Sequence, residues 1–232
     1  MMIAIIGAMQ EEIDYLKKKM KNSWTEEVYH FEFHYGDIDN KKVVLVKSGV
    51  GKTNAGLLIG TLLSQVEVDY IINLGVCGGV SDKVNLFDLA VVDKYFYGDV
   101  ELPKHEYFYG QMSKCPRYFE LNSKLKKTIK DNFPKENYKF VSCYTSDTFV
   151  DKDNYPKVKA IIDQHFSHYD ISIFDMESTA FAHASYLLDI PFVAIRTISD
   201  LVPETNWKEY NLNLEQAIIK SSEFVYKLVL SL

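Results

Sequence analysis

Two short acidic segments in the second half of the chain have the residue types and the placement to act on a small molecule. The segment Asp175-Met176-Glu177-Ser178 ends an apolar, strand-like run at residues 170–174. The segment Ile198-Ser199-Asp200 ends a second such run at residues 192–198. In sheets with helical crossovers, ligands bind outside the carboxyl ends of the strands. We therefore expect the carboxylates of the two segments to converge on one ligand.

Glu12 is a third acidic candidate, in a predicted helix that follows a predicted strand at residues 1–7. It falls on the apolar stripe that this helix would bury. The stripe consists of Met9, Ile13, Leu16 and Met20. Burying a carboxylate costs free energy unless the group has partners or a task. Glu12 could instead be a solvated first-turn acid favoured by the helix dipole, and taken alone it fits that interpretation slightly better.

Composition excludes several classes of protein. The chain of 232 residues is 47% hydrophobic, enough for a substantial core. A net charge of −6 argues against binding to nucleic acid or an anionic membrane, and no apolar stretch reaches the roughly 20 residues that span a bilayer. Three widely spaced cysteines and the absence of an export signal predict a cytoplasmic protein with reduced thiols. His165 and His168 lack further ligands, so we predict no metal.

Strand-like and helix-like segments alternate along the chain, which predicts one α/β domain over residues 1–232, with a central mixed β-sheet flanked by helices. Predicted strands cover residues 3–6, 29–38, 42–47, 70–74, 89–97, 138–144, 170–174 and 191–198. Predicted helices cover residues 8–20, 51–66, 121–132, 155–164, 180–188 and 212–230, and residues 99–118 are predicted to be a long loop.

The turn Gly49-Val50-Gly51-Lys52-Thr53 lies between a predicted strand and a predicted helix, as a phosphate-binding loop does. That motif also requires a glycine five residues before Gly51, and Val46 stands there. We therefore interpret the segment as a glycine-rich turn and not as a triphosphate site.

Six motifs in order along nearly the whole chain resemble those of the 5′-methylthioadenosine/S-adenosylhomocysteine nucleosidases, within the nucleoside phosphorylase superfamily. They are IIGAMQEE at residues 5–12, SGVGK at 48–52, INLGVCGG at 72–79, SDTFV at 146–150, DMES at 175–178 and RTISD at 196–200. Each motif alone is weak evidence, whereas the ordered set is specific.

The resemblance implies a hydrolase that cleaves the N-glycosidic bond of methylthioadenosine and S-adenosylhomocysteine, and of 5′-deoxyadenosine as well, in methionine salvage. It implies a catalytic pair, Glu12 activating water and Asp200 protonating N7 of the purine. The other implied contacts are Ser199 to the purine, Met176 and Glu177 to the ribose hydroxyls, Phe149 stacked on the base, Val150 at the base edge, Gly78 close to the nucleoside, and Met9, Val50 and Tyr210 around the 5′-thioalkyl group. It implies a homodimer and no cofactor.

These residue types suit the reaction. Cleavage leaves negative charge on the departing purine, which a protonated carboxyl can neutralise. Burial can keep one carboxyl protonated while a second stays ionised, which separates the acid from the base. Glu177 and Asp200, each taken alone, are better explained as helix caps. Their occurrence together with Glu12, in this order, reverses that judgement.

Two rival functions, a related hydrolase of other 6-aminopurine nucleosides and four departures from the family pattern remain. A phosphorylase would need a phosphate pocket, but the chain has only Arg117 and Arg196, and Gln10-Glu11-Glu12 would repel phosphate. A nucleoside-binding protein without catalytic activity would not need the acid–base pair Glu12 and Asp200. The departures are Val76-Cys77 in place of Ser-Ala, Asp175 and Gln10 each in place of Glu, and a longer loop at residues 99–111. They bear on substrate preference more than on chemistry.

Overall fold

Strands and helices alternate along a computed structural model that describes residues 1–80, 82–102, 106–204 and 207–232. The strands are β1 (Met2–Gly7), β2 (Lys21–Val28), β3 (Phe31–Ile38), β4 (Lys41–Lys47), β5 (Tyr70–Val80), β6 (Leu89–Tyr97), β7 (Phe119–Glu120), β8 (Tyr138–Thr145), β9 (Ile171–Asp175) and β10 (Phe192–Val202). The helices are α1 (Gln10–Lys17), α2 (Lys52–Gln65), α3 (Ser123–Asn132), α4 (Tyr155–His165), α5 (Ser178–Leu188) and α6 (Trp207–Ser231).

The strands form one mixed sheet in the order β10-β6-β8-β9-β5-β1-β4-β3-β2, with β7 paired to β6. Strand β10 also pairs with β5, so β5, β10, β6, β8 and β9 close into a ring. Pairs β1–β4, β1–β5 and β5–β10 are parallel, whereas β3–β4 and β5–β9 are antiparallel. The predicted α/β fold with a mixed sheet is confirmed.

Helices cover both faces of the sheet, which is why its central strands are continuously apolar. On β1, Ala4 and Ile6 pack into the core beneath α2 and α5, while Ile3 and Ile5 pack into the core beneath α1, α3 and α6. All four side chains are fully buried. No helix in the described ranges is long and apolar enough to cross a membrane.

Strand β2 is absent from the sequence-based prediction, which ran the first helix on to Met20. Helix α1 ends at Lys17, and the chain then forms an edge strand whose residues are nearly all exposed. Such a strand has no alternation of apolar and polar residues, and alternation is the signal on which strand prediction depends. The predicted hairpin turn at Asp39-Asn40 does join β3 to β4, with Ile38 paired to Lys41 and Asp39 at φ 53°.

Candidate active site

The structure brings all eleven sequence-predicted site residues to the wall of one cavity of about 230 Å³. They are Met9, Glu12, Val50, Gly78, Phe149, Val150, Met176, Glu177, Ser199, Asp200 and Tyr210. Ala8, Val76, Cys77, Thr148, Phe174 and Asp175 complete the lining. The residues that follow β1 and β9 and the distal halves of β5 and β10 meet here, at the carboxyl ends of neighbouring strands.

Glu12 is buried, with 3% of its surface exposed, so the interpretation of a solvated first-turn acid is wrong. Its Oε2 accepts the backbone N–H groups of Ala8 at 2.6 Å and Met9 at 3.0 Å, and its Oε1 accepts that of Val76 at 3.2 Å. Burial raises the pKa of Glu12, while Arg196 and the three N–H groups oppose that rise by favouring the ionised form. The result is a carboxylate in a fixed orientation and more basic than an ordinary glutamate.

Glycines make room for the Glu12 carboxylate. A Cβ on Gly75 would collide with Glu12 Oε1, and a Cβ on Gly7 would come within 3.0 Å of the Glu12 Cβ. Gly7 is the last residue of β1, and Gly75 lies within β5. Their small size therefore permits the contact between Glu12 and the Val76 N–H.

Asp200 lies inside β10 and not after it, because the strand continues beyond Ile198 through a bulge to Val202. The strand continues past this residue, so the interpretation of Asp200 as a helix cap is wrong. The bulge sets Asp200 opposite Gly78 of β5, where a Cβ would lie 3.1 Å from Asp200 Oδ2. Ser199 Oγ donates to Asp200 Oδ1 at 2.8 Å. Burial raises the pKa of Asp200 despite this hydrogen bond, which favours the protonated carboxyl that a general acid requires.

Glu177 occupies the N-cap position of α5, but its side chain caps no N–H of that helix. Instead, Glu177 Oε1 accepts the backbone N–H of Gly51 at 2.8 Å, just before α2. The interpretation of Glu177 as a cap for its own helix is therefore wrong. Burial, and then the charge of Asp175, raise its pKa, and Arg196 opposes the rise.

Asp175, which lines the cavity, forms a buried ion pair with Arg196 that the sequence-based prediction did not include. Arg196 Nη2 donates to Asp175 Oδ2 at 2.9 Å and also to the side-chain oxygen of Asn73. Thr145 Oγ1 fixes the other oxygen of Asp175 at 2.6 Å. The guanidinium offsets part of the negative charge that Glu12 and Glu177 bring to the site. An arginine inside the apolar run 192–198 was the signal that could have revealed this pair.

The opposite side of the cavity is largely apolar and partly open. Phe149 and Tyr210 meet edge to face, with ring centroids 5.9 Å apart and an interplanar angle of 83°. Phe149 is 39% exposed and Val50 is 47% exposed. The site therefore combines buried carboxyl groups with an accessible aromatic and aliphatic wall, which suits a ligand with a flat ring and polar hydroxyl groups.

The fold and this cavity define a member of the phosphorylase superfamily, whose family model matches residues 2–232. A 5′-methylthioadenosine/S-adenosylhomocysteine nucleosidase from Bacillus subtilis (strain 168) is 32% identical over 232 residues, with 99% of this chain and 98% of that protein covered. The chain belongs to the family of 5′-methylthioadenosine/S-adenosylhomocysteine nucleosidases.

Solved structures support the same assignment. The Streptococcus pneumoniae nucleosidase in complex with 8-aminoadenine aligns with a TM-score of 0.92 at 31% identity, and 100% of both chains is covered. The Colwellia psychrerythraea enzyme in complex with adenine aligns with a TM-score of 0.90 at 31% identity, with 100% of this chain and 96% of that chain covered.

Proposed function

We propose that this chain hydrolyses the N-glycosidic bond of 5′-methylthioadenosine and S-adenosylhomocysteine, and of 5′-deoxyadenosine, within methionine salvage. The products are adenine and the free thioribose or deoxyribose. The observation that carries the proposal is the presence of Glu12 and Asp200 in one cavity, each buried and held in a different hydrogen-bonding environment. The activity of the relatives named above supports the same reaction.

In this mechanism Asp200 donates its proton to N7 of the adenine as the bond to C1′ breaks. The bonding electron pair leaves with the base, and the sugar becomes oxocarbenium-like. Glu12 accepts a proton from a water molecule, whose oxygen forms the new bond to C1′. Positioned acid–base groups of this kind typically contribute about 10²- to 10⁴-fold each. Burial raises the pKa of both carboxyls, but their partners differ. Arg196 and three backbone N–H groups favour the ionised form of Glu12, which suits the base, whereas only the hydrogen bond from Ser199 favours the ionised form of Asp200, which suits the acid.

The remaining lining residues are assigned to parts of the nucleoside. Glu177 and Met176 hold the ribose hydroxyls, and Ser199 supports recognition of the purine beside Asp200. Phe149 stacks on the base and the backbone of Val150 meets its edge, while Gly78 leaves space for the nucleoside. The 5′-thioalkyl group is assigned to the apolar part of the wall, formed by Met9, Val50 and Tyr210.

Phosphorolysis fits the cavity less well than hydrolysis does. Among the described residues that line it, carboxylates are present and neither lysine nor arginine is. Arg196 lies nearby, but it is fully buried and paired with Asp175. A phosphate dianion would therefore meet the charge of Glu12 without a free cation, whereas a neutral water needs only the one base.

Incubation of the purified protein with methylthioadenosine tests the proposal. We expect adenine to be released at a rate proportional to enzyme concentration, with S-adenosylhomocysteine and 5′-deoxyadenosine also cleaved. Separation of the products by liquid chromatography measures all three. Absence of adenine with every one of these substrates would contradict the proposed function.

Replacing Glu177 with alanine is expected to lower kcat and raise KM together. A carboxyl group that hydrogen-bonds the ribose hydroxyls does so in the ground state and in the transition state, so its removal affects both parameters. Kinetics with 2′-deoxy and 3′-deoxy substrates measure the contribution of each hydroxyl. If Glu177→Ala discriminates against these substrates as strongly as the parent does, Glu177 does not bind the ribose.

We also infer that the protein forms a homodimer and that it acts in the cytoplasm, where its free cysteines Cys77, Cys115 and Cys143 would stay reduced. Leu57 of α2 and Tyr186 and Leu187 of α5 are each at least half exposed, and they lie on two helices that pack against each other. Gly56 and Gly60 leave the same face of α2 open and flat. Large exposed apolar side chains on two adjoining helices are typical of a protein interface. Sedimentation as a monomer at all concentrations would contradict the dimer.

A further inference from the structure

Lys52, in the glycine-rich turn that resembles a phosphate-binding loop, has partners that a phosphate-binding lysine would not have. Its Nζ lies 2.5 Å from Asp99 Oδ1 and 3.6 Å from Asp147 Oδ2. The ammonium also lies 5.5 Å from the centroid of the Tyr97 ring. Its side chain is only 19% exposed. The charge of Lys52 is therefore already matched by two carboxylates of this chain.

Backbone hydrogen bonds join the same three residues into a closed ring. The N–H of Lys52 donates to Asp147 Oδ1 at 2.9 Å, which satisfies a free N–H in the first turn of α2. The N–H of Asp147 donates to Asp99 Oδ2 at 3.0 Å. Each member of the ring thus contacts the other two. The ring connects segments that are 47 and 95 residues apart along the chain.

Two of the three joined segments form part of the cavity wall. Asp147 directly precedes Thr148, Phe149 and Val150, all of which line the cavity. Lys52 follows Gly51, whose N–H holds Glu177. Asp99 lies two residues after the end of β6. These hydrogen bonds therefore connect the first turn of α2 to the segment that carries Phe149.

We propose that Lys52 is a positioning residue that holds the 147–150 segment against α2, so that Phe149 and Val150 are in place to receive the adenine ring. This inference rests on the proposed function, because it assigns the purine to Phe149 and Val150. Lys52 acts through Asp147 and Asp99 and does not itself touch the nucleoside. The lysine of the glycine-rich turn thus organises the site by pairing with carboxylates and not by binding phosphate.

Lys52→Met removes the ammonium but keeps a side chain of similar length. We expect the inhibition constant for adenine to rise about three- to tenfold, because two partly exposed ion pairs in one network are lost. Recognition of the ribose should be unchanged, since the Gly51 N–H that holds Glu177 is a backbone group. The ratio of rates for methylthioadenosine and its 2′-deoxy analogue measures this. Salt should weaken adenine binding in the parent more than in the variant.

Three further variants separate positioning from a general loss of stability. Lys52→Arg should recover most of the adenine affinity, because a guanidinium can pair with both carboxylates. Asp99→Asn should reproduce part of the loss of adenine affinity. It also tests the hydrogen-bonded ring of Lys52, Asp99 and Asp147 if Lys52→Met does not fold. Lys159→Met is the matched control, since it removes an exposed lysine paired with Asp163 at 2.6 Å on α4, away from the cavity. It should bind adenine as the parent does.

The outcomes distinguish this inference from the proposed function. If the parent releases adenine from methylthioadenosine while Lys52→Met and Asp99→Asn bind adenine with the parent's affinity, the positioning role is wrong and the proposed function stands. If Lys52→Met loses adenine affinity and ribose discrimination equally, the positioning role is also wrong. Such a result would indicate that the whole site is disturbed and not only the 147–150 segment. If the parent releases no adenine, the proposed function itself fails.

Discussion

Asp200→Asn is expected to lower kcat by about 10²- to 10⁴-fold, the range for loss of a positioned general acid. The asparagine side chain has nearly the same shape and can still accept the hydrogen bond from Ser199 Oγ, which lies 2.8 Å from Asp200 Oδ1. It has no proton to give to N7 at neutral pH. Steady-state release of adenine from methylthioadenosine measures the effect. Turnover like that of the parent would remove Asp200 from the acid role.

The stability of Asp200→Asn provides the control for folding. The pKa of Asp200 is raised by burial, so ionisation of this group opposes folding as the pH rises through its folded-state pKa. The variant lacks that ionisation. We therefore expect it to be at least as stable as the parent at neutral pH, with the difference shrinking in acid, where both side chains are neutral. Thermal unfolding at the two pH values measures this.

Glu12→Gln is expected to reduce kcat by a similar factor, because the amide cannot accept the proton of the attacking water. Binding of a non-hydrolysable adenosine analogue should persist, since the lost function is proton transfer. Isothermal titration with that analogue, alongside the rate measurement, separates the two effects. The binding measurement also tests folding. The three N–H groups that donate to the Glu12 carboxylate must accommodate an amide in the variant, and analogue binding would show that the site remains folded.

The opposite pattern would contradict the role of Glu12. If Glu12→Gln turns over methylthioadenosine as the parent does, another group activates the water. If the variant is folded but no longer binds the analogue, Glu12 serves mainly to bind the nucleoside.

The convergence of the site was predictable from sequence because it follows from topology. The residues after β9 and the distal half of β10 meet those of β5 at one edge of the sheet, so the placement of Glu177 and Asp200 at the ends of apolar runs was informative. The motifs supplied most of the rest of the wall, including Phe149, whereas Tyr210 lies outside the six motifs and came from the overall resemblance to the family. Local pattern alone misjudged Glu12, because the N–H of Val76 that helps to bury it lies 64 residues away.

The features that sequence reasoning missed depend on contacts between distant residues. The bulge in β10 that turns Asp200 toward Gly78 is a matter of register with β5, which no local period encodes. Arg196 is interpretable only once Asp175 is seen beside it. Likewise, the sequence around Lys52 resembles a phosphate-binding loop. Its pairing with Asp99 and Asp147 could be recognised only in the folded structure, because the partners are distant along the chain.

The most direct test of the account is identification of the sugar product of methylthioadenosine cleavage in the presence and absence of phosphate. We predict free methylthioribose in both cases, at a rate that does not depend on phosphate, because Glu12 activates water and the described cavity lining offers no free cation to a phosphate dianion. Phosphorus NMR of the reaction mixture would detect the alternative. Methylthioribose-1-phosphate as the main product, or a rate that saturates with phosphate, would contradict the account.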